Sequence, residues 1–215
     1  MTNGKRDGAN LVVFDHPLIR HKLTHLRDES TGHRAFRANM AQIAGLMVYE
    51  VTRTFASETF DVRTPMGVTS GSRVRGDITV VPVLRAGLGM IDGILEIMPE
   101  ARVGHLGLAR DEATLKPKAY LNKLPRDLES GPVILVDPML ATGGSASAAV
   151  TMLRSAGAID LRMICLVAAP EGVARMNADH PDVTVYAASL DEGLNEQGYI
   201  MPGLGDAGDR LFGTT

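Results

Sequence analysis

Val136-Asp137-Pro138-Met139-Leu140-Ala141-Thr142-Gly143-Gly144-Ser145 is the stretch that decides the fold. It follows the apolar run 133–136 and leads into 145–155, whose composition suits a helix. A short apolar run bounded by turn residues reads as a strand buried on both faces. Strand, glycine-rich loop and helix in that order make half of a crossover unit. The same grammar extends outward, with further apolar runs at 78–84, 103–108, 161–168 and 183–187 and helical stretches at 88–98 and 171–180. Gly157 stops the helix that follows the central loop. The economical solution is an α/β fold, a doubly wound and mostly parallel sheet.

Toward the N-terminus, Asp15 and Pro17 stand where an N-cap and an early helical proline belong, ahead of a short helix over 18–27. Over 33–55, Phe36, Met40, Ile43, Met47 and Val51 recur at steps of three and four, as one face of a long helix requires. Residues 64–76, rich in Gly, Ser, Thr and Pro, read as a loop, and the charged segment 110–125, with two prolines, as a projecting hairpin or flexible loop. The expected organisation is one domain, with a helical N-terminal part over about 1–60, a core over about 75–190 and a hood loop over about 190–215.

Composition narrows the function. The chain of 215 residues carries a formal charge of −3, which disfavours binding polyanions by bulk charge. Aromatics are 4% and Trp is absent, which disfavours base stacking on an aromatic platform. Neither a signal peptide nor a membrane span is expected, since the charged first ten residues are followed by an apolar run of only four, so a cytoplasmic protein is expected. Cys165 is the only cysteine, which excludes an intrachain disulfide and a Cys-based zinc cluster. It falls in an apolar run and is expected to be an inert core residue. His21 and His25 share a helix face but lack an evident third metal ligand, and the methionines, Met40 and Met47 among them, read as core filling. Lys116 and Lys118 read equally as steering charges or as solvated loop residues.

In open α/β sheets ligands bind beyond the carboxyl ends of the strands, and three loops there are unusual. In the central one, the glycines let backbone N–H groups approach an anion. Thr142 and Ser145 add hydroxyls, and the following helix adds a partial positive charge. It reads as a phosphate cradle without the Gly-Lys-Ser/Thr ending of a triphosphatase loop, and Asp137 stands where a ribose diol could be gripped. The second loop is Leu84-Arg85-Ala86-Gly87-Leu88-Gly89. With Gly93 it spells a loose dinucleotide fingerprint, and Asp111 lies near the next strand's end, but Arg85 intrudes where it would suit a phosphate-rich ligand. The third is Gly198-Tyr199-Ile200-Met201-Pro202-Gly203-Leu204-Gly205-Asp206-Ala207-Gly208-Asp209-Arg210, whose backbone can read the edge of a small planar ligand, with Asp206 as its charged member.

Together with Ala168-Ala-Pro-Glu-Gly, these loops closely resemble the uracil phosphoribosyltransferases, in order and spacing, over nearly the whole chain. The resemblance implies transfer of a phosphoribosyl group from phosphoribosyl pyrophosphate to uracil. It implies that Asp137, Pro138, Met139, Leu140, Ala141, Thr142, Gly143, Gly144 and Ser145 bind the ribose hydroxyls and 5′-phosphate, and that Arg85 and Arg110 bind the leaving pyrophosphate. It also implies that Ile200, Gly205, Asp206 and Ala207 surround uracil. Arg85, Asp137 and Asp206 are the expected catalytic groups. Phosphoribosyltransferases at large carry two adjacent acids where Asp137 is followed here by Pro138, and Asp206 is the expected second carboxylate. No direct metal motif is present, so Mg2+ is expected to be held through substrate and water. Arg110 with 111–120 is expected to form a lid. The resemblance further implies a homodimer or higher oligomer and a GTP effector in some members. Rival readings are a nucleotide-sensing RNA-binding regulator on the same fold and an NAD-binding oxidoreductase resting on the glycines after Arg85.

Overall fold

The computed structural model describes residues 4–6, 10–110 and 117–214. The chain opens with β1 (Gly4–Arg6), β2 (Leu11–Phe14), α1 (Pro17–Arg27), α2 (His33–Val51) and a hairpin of β3 (Ser57–Thr64) and β4 (Gly67–Val74). There follow β5 (Thr79–Leu84), α3 (Leu88–Ile97), β6 (Arg102–Val103), β7 (His105–Arg110), β8 (Pro117–Lys123), β9 (Val133–Val136) and β10 (Met139–Leu140). Then come α4 (Gly144–Ser155), β11 (Leu161–Ala168), α5 (Pro170–Asp179) and β12 (Thr184–Leu190). A small ladder of β13 (Gly193–Leu194) and β14 (Ile200–Met201) and the short helix α6 (Ala207–Phe212) close the chain.

The main sheet runs β1-β2-β12-β11-β9-β5-β7-β8, parallel through its centre, with an antiparallel pair at each edge. Successive residues of β9 point to opposite faces, as a pleated strand requires. Ile134 and Val136 join the core under α1, α2 and α3, while Val133 and Leu135 join the core under α4 and α5. Helices therefore cover both faces, and the doubly wound reading is borne out. The α2 stripe Phe36, Met40, Ile43, Met47 and Val51 is fully buried. Each such side chain contributes about 1.5–3 kcal/mol relative to exposure.

Several local expectations need correction. Residues 64–76 are not merely loop: β4 lies there and pairs with β3 in register from Ser57 opposite Val74 to Thr64 opposite Gly67. Neither strand has a buried face, so the apolar alternation that marks a strand never arises. The cap of α1 is His16, whose Nδ1 accepts from Leu18 N at 3.2 Å, while Asp15 pairs with Arg20. Pro17 occupies the first helical position without an N–H, so the residue just before it is the one placed to reach Leu18. Helix α2 ends at Val51, before a 3-10 turn at Thr52–Thr54. In 110–125, the hairpin alternative holds where it can be seen, because β8 pairs antiparallel with β7. The proposed lid falls mostly on 111–116, which with Asp111 and Lys116 lie outside the described residues, and Lys118 is exposed on β8.

Candidate active site

The cradle is built by close backbone approach. After Asp137, the chain pairs briefly with β11 through Met139 opposite Val167 and Leu140 opposite Ala168, then turns at Gly143 into α4. Gly143 has φ +76°, the left-handed region that favours glycine, and a Cβ there would stand 2.9 Å from the Gly172 carbonyl oxygen. Gly172 is equally constrained, since its Cβ would meet the Ala141 and Leu140 carbonyl oxygens at 2.5 and 2.7 Å. Here the Ala168-Ala-Pro-Glu-Gly segment finds its use. Pro170 opens α5, Gly172 lets that helix lie against the cradle, and Glu171 Oε1 accepts from Leu194 N at 3.2 Å. Thr142 and Ser145 are exposed, and the first turn of α4 carries no acidic residue to compete with an anion.

The half-buried Asp137 carboxylate sits at the floor of this loop. Burial pushes its pKa up to about 7, against a weak opposing hydrogen bond from Met139 N at 3.4 Å. A ligand donating hydroxyl hydrogen bonds favours the ionised form and draws that pKa down.

Opposite the cradle stands the hood. Gly203 and Gly205 have φ +62° and +71°, and a Cβ at Gly203 would collide with the Ile200 carbonyl oxygen. Asp206 caps α6, its Oδ1 accepting from Asp209 N at 2.9 Å. Side chains strap the hood to the N-terminal helices, Arg37 Nη1 among them, donating to the Leu211 carbonyl at 3.2 Å. Arg210 donates to the Leu26, Leu204 and Asp28 carbonyls and lies over the Phe36 ring, while Arg27 binds the Gly203 carbonyl and the Asp191 carboxylate.

Between cradle and hood lies a cleft of about 310 Å3, with Ala86 on its third side. It brings together Asp137, Met139, Leu140, Ala141, Thr142, Gly143, Gly144 and Ser145 with Gly205, Asp206 and Ala207, all singled out in the sequence. It also takes in Ala146, outside the three loops, and Ala86, Gly198, Tyr199 and Gly208, which lie in those loops without a role of their own; only Tyr199, with its half-exposed ring, has a side chain that could have signalled a site. Other candidates stand apart. Pro138 is buried and its carbonyl accepts from Leu166 N and Val167 N, and the Ile200 side chain is buried in the core, so only backbone could serve a ligand there. Arg85 lies at the rim, its guanidinium 3.4 Å from Asp209 and stacked on Phe212. Arg110 ends β7, and its side chain lies outside the described residues. Among the described residues, no group of three or more His, Cys, Asp or Glu side chains could hold a metal. His21 and His25 simply meet edge to face, and Cys165 is buried, its thiol pushed up by burial.

The glycines after Arg85 have a different purpose from binding a dinucleotide. A Cβ at Gly87 would stand 2.7 Å from the Val136 carbonyl, and one at Gly89 would run into Met40 and Leu211. At Gly93 it would collide with the Ala41 backbone, and at Gly45 it would stand 2.8 Å from Gly93 O. They let α3 close on α2 and on β9, which removes the ground of the oxidoreductase reading.

The family model described as "Uracil phosphoribosyltransferase" matches residues 12–214. The chain belongs to the uracil phosphoribosyltransferase family. A uracil phosphoribosyltransferase of Finegoldia magna is 56% identical over 207 residues, covering 96% of this chain and 99% of that protein. One of Dictyoglomus thermophilum is 53% identical over 205 residues, covering 95% and 99%. A solved protein of Aquifex aeolicus superposes with TM-score 0.91 at 36% identity, covering 95% of this chain and 99% of its own. A hypoxanthine-guanine phosphoribosyltransferase of Bacillus anthracis, 14% identical with TM-score 0.52 over 74% of this chain and 80% of its own, shares the fold. The type I phosphoribosyltransferase fold and membership of this pentosyltransferase family thus agree with the motifs, and neither rival reading has support.

Proposed function

We propose that this member of the uracil phosphoribosyltransferase family transfers the phosphoribosyl group of 5-phospho-α-D-ribose 1-diphosphate to uracil, releasing diphosphate and UMP. The observation that carries the reading is one cleft with an anion cradle on one wall and a rigid backbone loop on the other. The first turn of α4, with Thr142 and Ser145, holds the 5′-phosphate, and Asp137 accepts from the ribose hydroxyls. Backbone groups around Ile200, Gly205 and Ala207 read the uracil edge. Displacement at the anomeric carbon by a uracil nitrogen builds positive character on the sugar and negative charge on the leaving diphosphate. No covalent nucleophile is needed, so rate comes from placing both reactants and from charge complementarity. Arg85, swung from Asp209, and Arg110 meet the diphosphate, and Asp206 stands across from Asp137 as the second carboxylate.

Asp137 and Asp206 offer hard oxygen donors in the same cleft, too few to form a complete cage, which fits a magnesium ion carried in largely by substrate oxygens and water. Bound there, Mg2+ supplies neutralisation of the departing diphosphate. We further take the chain to work as one unit, the 190–215 loop with part of the N-terminal helices forming a hood over the 75–190 core, in a homodimer or higher assembly. Family resemblance supports that assembly and GTP as an effector. No helix among the described residues is long and apolar enough to cross a membrane, which accords with a cytoplasmic place, and no nucleic-acid partner is expected. The test is diphosphate release with Mg2+ and phosphoribosyl pyrophosphate against a panel of uracil, cytosine, adenine, hypoxanthine and no base. Release with uracil alone, with UMP formed, is expected; release with another base, or with none, overturns the reading.

A further inference from the structure

Ile200, Leu204 and Leu211 anchor the hood in the apolar core, yet the backbone between them must hold a fixed edge toward the base. What fixes it is polar and comes from far away in the chain. Arg27, the last residue of α1, grips Asp191 with both branches of its guanidinium, Nη1 to Oδ2 at 2.8 Å and Nη2 to Oδ1 at 2.6 Å. Arg27 Nη1 also donates to the Gly203 carbonyl at 3.0 Å, and Gly203 N donates to Asp191 Oδ2 at 2.9 Å. Both polar groups of Gly203 are thereby held by the ion pair. Ser189 donates to Asp191 Oδ1 at 2.7 Å and accepts from Arg27 Nη2 at 3.1 Å. The Asp191 side chain is 2% exposed and that of Arg27 26%. Burial alone would raise the Asp191 carboxyl, but Arg27, Ser189 and Gly203 N hold it below the usual carboxylate range.

Gly203 lies between the two stretches of the hood that line the cleft, 198–199 and 205–208. At the other end of the hood, Glu192 N donates to the Met201 carbonyl at 2.9 Å, so the residue after Asp191 carries β14 as well. We infer that the Arg27–Asp191 pair is the positioning device for base recognition: helix α1, which lines no part of the cleft, sets the attitude of the backbone that reads uracil. The inference rests on the proposed uracil site. A bidentate buried pair suits this task because its planar geometry fixes orientation as well as distance. The larger hollow beside it, about 500 Å3 between α1 and β12, places Arg20 with Asp15 and Arg27 with Asp191 and so offers no unbalanced charge to a ligand of its own.

The test compares Arg27→Lys and the double variant Arg27→Met/Asp191→Asn, which leaves no lone buried charge, with the parent protein. Steady-state kinetics and hydrogen exchange are both read. The expected result is a fall in kcat/KM for uracil on the order of 10- to 100-fold with the KM for phosphoribosyl pyrophosphate unchanged, smaller for Arg27→Lys. Peptides covering 198–205 should exchange faster while those covering 137–145 do not. Uracil kinetics within about twofold of the parent, unchanged exchange at 198–205, or equal loss for both substrates each overturns the inference. Should the parent turn over no uracil, the functional reading fails, and with it the claim on base recognition, whereas exchange would still show whether the pair holds the hood.

Discussion

The two walls of the cleft are made in opposite ways. The cradle wall is local: a strand end, a left-handed glycine and a helix start, within ten residues, braced by Gly172 against bare carbonyls. Its precision comes from leaving side chains out. The hood wall is assembled from distant parts, with Arg27 and Arg210 crossing 176 and 184 positions to reach Gly203 and Leu26. Its precision comes from charged side chains. A wall that must meet a phosphate of constant shape gains from stiff backbone and a helix terminus, whereas a wall built on an exposed terminal loop needs tethers. The difference predicts that the halves fail separately.

The largest expected effect is on the cradle. Gly172→Ala forces a Cβ to within 2.5 Å of the Ala141 carbonyl, so α5 and the loop must part. The loss in kcat/KM for phosphoribosyl pyrophosphate should be about 100-fold or more, read by initial rates on protein that still unfolds cooperatively. Next comes Arg85→Ala, which removes a cation whose interaction strengthens as charge builds on the leaving group. Turnover should fall by about 100-fold with modest change in KM, and unchanged turnover would remove Arg85 from the chemistry. Arg210→Met cuts the second hood strap while keeping an apolar stem on Phe36. Uracil kcat/KM should fall by about 10-fold, and that for phosphoribosyl pyrophosphate should not. The smallest effect is on stability. With the Asp137 pKa raised to about 7 in the folded state, the native protein binds more protons than the unfolded chain between pH 4 and 7, so this group subtracts stability as pH rises through that window. Asp137→Asn should therefore unfold later than the parent at pH 8, by about 2–4 °C, and no later at pH 4, read by thermal melts at both pH values.

The same contrast explains what could be read in advance. The strands 78–84, 133–136 and 161–168 were legible because parallel strands buried on both faces must be continuously apolar, and the cradle because its function depends on consecutive residues. The β3–β4 hairpin escaped because its strands present no buried face. The tethering roles of Arg27, Arg210 and Asp191 escaped, although Arg210 stood in the third loop, because a single charged residue gives no hint of a partner so far along the chain. Gly87, Gly89 and Gly93 were visible but ambiguous: sequence spacing fits both a dinucleotide turn and close helix contact, and only the positions of Val136 and Ala41 separate the two.

The most direct measurement is kcat/KM for each substrate in Gly172→Ala and Arg210→Met, assayed side by side. Crossed losses, with phosphoribosyl pyrophosphate failing in the first and uracil in the second, are the predicted result. If each variant loses both substrates by the same factor, the cleft is one coupled structure and the two separately held walls do not exist.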